Sequence, residues 1–165
     1  MKKELGASEF RGLKNIEYFN FEEDFIEKNI RCIPMIVRFK MDAVGIKLKL
    51  AEWSKFSTGE RVQLAMMPAQ SIQEIKLYHQ HLTGLVEKYT GYPPTTLQLD
   101  SNPCWANVQT IATVVTEKAR EFNLEFTNQK WEALTNLQRF ALLKLSKDGH
   151  ENKNFPKAIR EFNLA

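Results

Sequence analysis

Thr135-Asn136-Leu137-Gln138-Arg139-Phe140-Ala141-Leu142-Leu143-Lys144-Leu145 carries the most structural information in this chain. A threonine oxygen can accept from a free backbone N–H one turn on. A glutamine three positions later can reach back to the threonine N–H, so the pair marks a helix start. The residues that follow are apolar on nearly all sides, which predicts a central, buried helix. The same punctuation occurs 78 positions earlier. There Ser57-Thr58-Gly59-Glu60 forms the box, Arg61 stands for Arg139, and Leu64 stands for Leu142.

The offset holds further upstream. Asn29 matches Asn107, Ile33 matches Ile111, Val37 matches Val115, Lys40 matches Lys118 and Trp53 matches Trp131. Gly45 faces Asn123, the two residue types that best tolerate a left-handed backbone. The expected motif is a helix, a tight turn, a short extended piece, a Trp-bearing turn and a capped helix. It occurs twice, over roughly 29–68 and 107–146, about a pseudo-two-fold axis. Ile46-x-Leu48-x-Leu50 and Leu124-x-Phe126 alternate with period two. They suggest one short antiparallel β-bridge between the two turns.

Elsewhere the pattern is helical. Pro34 suits a helix start, and Ser71-Ile72-Gln73-Glu74 opens the longest helix, which Gly91 ends. Thr127 can cap a short helix bearing Trp131, and Pro156 can start the last one. Tyr92-Pro93-Pro94 begins a loop reaching about Asn107, the one long irregular stretch and so a candidate functional surface. Residues 1–18 have no sustained apolar stripe and read as a mobile tail. The expected fold is therefore all-α: a compact multi-helix bundle, one helical domain over 19–165.

Composition narrows the class. The 165 residues are 43% hydrophobic and 26% charged, as in ordinary globular chains. No run of about 18 apolar residues suggests a membrane span. The start, Met1-Lys2-Lys3 with Glu9 close behind, does not resemble a secretory signal. Two cysteines, Cys32 and Cys104, cannot make a disulfide framework, so a cytoplasmic location is expected. The net charge of +3 permits an anionic partner without requiring one.

No enzyme motif stands out. Glycine-rich phosphate loops are absent, as is a serine nucleophile elbow. His79 and His81, two apart on a helix, point to different sides and cannot share an ion. Neither cysteine has a CxxC partner, so no metal and no cofactor are expected. Arg38, Lys40 and Lys47 lie in the densest positive region and could hold phosphate or another anion. His150, Glu151, Asn152 and Asn154 form the most chemically varied loop, where a histidine beside a carboxylate can move protons. These seven residues are the candidate ligand- or partner-binding set, with no catalytic residue among them. Arg61 and Arg139 read as structural clips to carbonyls or a carboxylate.

The run Arg31-Cys32-Ile33-Pro34-Met35-Ile36-Val37-Arg38-Phe39-Lys40-Met41-Asp42, continuing to Gly45-Ile46-Lys47-Leu48, resembles the nitrate reductase-associated proteins of photosynthetic microbes. So do Leu134–Leu142, the stretch His150–Phe155 and the ending Glu161-Phe162-Asn163-Leu164. The resemblance implies a non-enzymatic accessory protein that assists maturation or activity of assimilatory nitrate reductase, a molybdoenzyme. Nitrate reductase or its maturation machinery would then be the partner. The rival readings are a binder of a small anionic ligand such as a pterin or phosphate and, more remotely, a regulatory nucleic-acid-binding protein.

Overall fold

Three reciprocal capping boxes set the helix starts. Ser57 Oγ accepts from the Glu60 N–H at 3.1 Å while Glu60 Oε2 accepts from the Ser57 N–H at 2.8 Å. Ser71 and Glu74 repeat the exchange at 3.1 and 3.0 Å, and Thr135 and Gln138 at 3.1 and 2.9 Å. Each satisfies two backbone donors that a helix start would otherwise leave open. The left-handed stops are also where the residue types allow them, at Gly45 and Gly91 (φ 78° each) and at Asn123 (φ 56°).

The structure, a computed structural model, describes residues 10–23, 33–147 and 153–165. The described residues are mostly helical, with one two-stranded pairing. Where the sequence suggests one helical domain over 19–165, the contacts group into two compact units. The first holds the described residues up to Tyr18 together with Glu22–Leu99; the second holds Phe19–Phe21 and Asp100–Ala165.

In the first unit, α1 (Met35–Val44), β1 (Ile46–Lys47), α2 (Leu50–Trp53), α3 (Thr58–Met66), α4 (Ile72–Thr90) and β2 (Thr95–Thr96) follow in order. Val37, Ile46, Leu64, Tyr78, Leu82 and Val86 are fully buried. The Tyr78 hydroxyl donates to the Leu64 carbonyl at 2.8 Å, and burial pushes its pKa up. Glu60 does more than cap. It accepts from Lys88 Nζ at 3.0 Å and from Tyr89 Oη at 2.8 Å, tying the start of α3 to the end of α4. The Ser57 N–H, then Lys88 and Tyr89, hold its carboxyl down at about 2.

Phe10 departs from the mobile-tail expectation. It is 5% exposed and its ring lies 6.2 Å from that of Trp53. Burying such a ring contributes about 1.5–3 kcal/mol, which anchors a segment that shows no apolar stripe of its own.

The second unit contains α5 (Thr113–Glu121), α6 (Asn128–Glu132), α7 (Asn136–Leu145) and α8 (Phe155–Glu161), with a 3-10 turn at Cys104–Ala106. As predicted, α7 is central: Leu137, Phe140, Ala141, Leu142 and Leu145 are buried, against Phe155 and Ile159 of α8. Phe19 and Phe21 pack on Phe162, with ring centroids 4.9 and 6.2 Å away.

The β-bridge expectation needs correction in its partner. β1 pairs antiparallel with β2, Ile46 opposite Thr96 and Lys47 opposite Thr95, and residues 124–126 form no strand. The Leu97 N–H donates to the Gly45 carbonyl at 2.7 Å. A Cβ on Gly45 would meet the Leu97 carbonyl at 3.1 Å, so glycine lets the two segments come this close. The Pro93-Pro94 loop thus returns to its own unit.

Candidate functional site

The sequence groups Arg38, Lys40 and Lys47 as an anion-binding set. The structure ties one of them, Lys40, into the fold. Arg38 Nη1 lies 3.8 Å from Met35 Sδ, one turn back on α1. Lys40 Nζ donates to the Ala65 carbonyl at 2.6 Å, closing an open acceptor in the last turn of α3. Lys47 is exposed on β1, opposite Thr95. Asn154 is 5% exposed at the start of α8. His150, Glu151, Asn152 and also Cys32 lie outside the described residues.

Lys40 gives a measurable consequence. Burial lowers its pKa from the ordinary 10.5 to about 8. Between those values the unfolded chain holds more protons than the folded one, so unfolding free energy rises with pH across that window. Below pH 8 the lysine is charged in both states and its contribution is level. Urea unfolding from pH 7.5 to 10.5 is expected to show this rise. In Lys40→Met the rise is smaller by the Lys40 share, and an unchanged slope would refute the assignment.

The densest polar construction lies in the second unit, around a guanidinium. Arg139 is 4% exposed. Its Nε donates to the Trp105 carbonyl at 2.7 Å, and its Nη2 to Asn136 Oδ1 at 2.6 Å. Nη1 donates to the carbonyls of Leu134 and, at 3.2 Å, Trp131. Trp131 Nε1 in turn donates to the Asn107 carbonyl at 2.9 Å. Together they hold the 104–107 turn against α7 and α6. The first unit carries a smaller version: Arg61 Nη1 donates to the Phe56 carbonyl at 2.8 Å, and Nη2 lies 3.4 Å from Thr58 Oγ1. The sequence flagged both arginines by their place four residues after the cap.

Sequence reasoning missed a groove in the second unit. It has a volume of about 170 Å³ and lies between Ile111, the Thr116–Arg120 face of α5, and residues 124–126. The signal was the Leu124-x-Phe126 alternation, which was assigned to a bridge.

Among the described residues no group of three His, Cys, Asp or Glu is placed to hold a metal ion. No described helix is long and apolar enough to cross a membrane. Cys104 is exposed in its 3-10 turn. No curated protein and no solved structure shows significant similarity to the chain. The family model for conserved nitrate reductase-associated proteins matches residues 18–162, nearly the whole chain, and the chain belongs to that family.

Proposed function

We propose that this chain is a non-enzymatic accessory protein that works in the cytoplasm, binding assimilatory nitrate reductase while that molybdoenzyme is being matured. The family match over residues 18–162 carries the reading. The use of the charged side chains supports it. Lys40 closes a helix end, Glu60 starts one, and Arg139 is committed to four carbonyls and an amide oxygen. These groups hold the fold, and contact with another protein is the mode of action we propose.

An assistant of this kind acts by preferring one state of its client, because a ligand shifts an equilibrium only by its differential affinity. The test is capture of nitrate reductase on the immobilised full chain, in its cofactor-free and finished forms. The expected preference for the unfinished form is about 5- to 150-fold, the usual range of coupling between states. No capture of either form would sink the proposal.

A further inference from the structure

We infer that residues 123–126, which form no strand by themselves, take up an extended segment of a partner protein, by a pairing like that with which β2 covers β1. This deepens the accessory reading by naming a contact surface, and rests on it for the partner being a protein.

We read the two units as copies of one motif. Arg61 reaches Phe56 and Thr58; Arg139 reaches Leu134 and Asn136, each partner displaced by the same 78 positions. Gly45 and Asn123 are both left-handed. The residues after them correspond in sequence: Ile46-Lys47-Leu48 to Leu124-Glu125-Phe126.

At those positions the units differ. In the first, the edge is paired: Ile46 faces Thr96, Lys47 faces Thr95, and the Gly45 carbonyl accepts from Leu97. Ile33, Ile46 and Leu48 are buried. In the second, the Leu124 N–H is used by the Ala119 carbonyl, and the Glu125 and Phe126 amides have no backbone partner among the described residues. Ile111, Leu124 and Phe126 are only half-buried and line the groove of about 170 Å³. An unpaired edge beside a groove that Ile111, Leu124 and Phe126 wall in part is what strand addition uses: the main chain supplies the hydrogen bonds and alternate side chains enter the groove.

Charge and register specify the occupant. Arg120 stands on the helix bank and Glu125 on the strand bank, and neither side chain has an ion-pair partner among the described residues. By the first unit's antiparallel register, Glu125 takes the place of Lys47, so the residue opposite it corresponds to Thr95. A cation there pairs with Glu125 across the strands. The next residue, opposite Leu124, is apolar and faces the groove. The one after donates its N–H to the Asn123 carbonyl, as Leu97 does to Gly45. A carboxylate elsewhere in the segment can meet Arg120. Asn123 also carries the Cβ that Gly45 lacks. At Gly45 such a Cβ would lie 3.1 Å from the Leu97 carbonyl and 3.3 Å from Leu99 Cδ2, so beside Asn123 the occupant's backbone sits a few tenths of an ångström farther out, and its next residues are small or absent.

The probe is a synthetic peptide of residues 92–98 of this chain bearing Thr95→Lys and Thr96→Leu. It is titrated into the isotope-labelled full chain and followed by amide NMR. The expected result is movement of the Leu124, Glu125 and Phe126 amides. Binding should be lost in Glu125→Pro, which lacks the donor. In Glu125→Lys, which keeps the backbone, it should be weaker by about fivefold. No movement of those amides at millimolar peptide would overturn the inference, as would equal affinity for a folded Glu125→Pro or Glu125→Lys. The peptide decides the edge; capture of the reductase separately decides the accessory reading.

Discussion

Arg139→Ala is expected to lower the unfolding free energy by about 3–5 kcal/mol, the combined cost of several buried acceptors left without a donor. The reason is what stays behind. The carbonyls of Leu134 and Trp131 lose their donor inside the second unit, and the Trp105 carbonyl loses the tie that fixes its turn. Buried acceptors left open cost about 1–3 kcal/mol each, less whatever water recovers. Arg61→Ala is the internal comparison. Arg61 is only half-buried and holds the Phe56 carbonyl near the surface, so about 1 kcal/mol is expected. Chemical denaturation of both variants reads the difference, and equal losses would refute this account of Arg139.

Trp131→Ala is the second large effect, at about 3–5 kcal/mol. The side chain is fully buried and its loss leaves a cavity beneath α7. Trp131→Phe separates the two contributions: the ring volume is mostly kept while the N–H to the Asn107 carbonyl goes, at a cost of about 1 kcal/mol. Thermal unfolding of the pair should place the phenylalanine variant much closer to wild type. If the two variants melt together, the hydrogen bond dominates instead of the packing.

Much of this fold is legible from the residues because its signals are local. A serine or threonine followed three later by Glu or Gln, a glycine at a left-handed stop, and an apolar run such as Phe140-Ala141-Leu142 act within one or two turns. The starts at Ser57, Ser71, Thr127 and Thr135 accordingly stand where the sequence puts them. What depends on chain returning from afar was not legible. Nothing near Ile46 announces Thr96 as its neighbour, and the alternation at Leu124-x-Phe126 offered an equally plausible partner. Phe10, Leu13 and Ile16 are scattered among charged residues, so only the folded position of Trp53 shows that Phe10 has a place to pack. The basic set Arg38, Lys40 and Lys47 illustrates the same limit at the candidate site. Proximity in sequence suggested shared chemistry, whereas Lys40 is drawn away to the Ala65 carbonyl.

The placement of the indole rings has a practical outcome. Trp53 belongs to the first unit, while Trp105 and Trp131 belong to the second. Light emission from a Trp53→Phe chain therefore reports on the second unit alone, and emission from a Trp105→Phe, Trp131→Phe chain on the first alone. Following both through one denaturant series shows directly whether the halves melt in a single step or in succession.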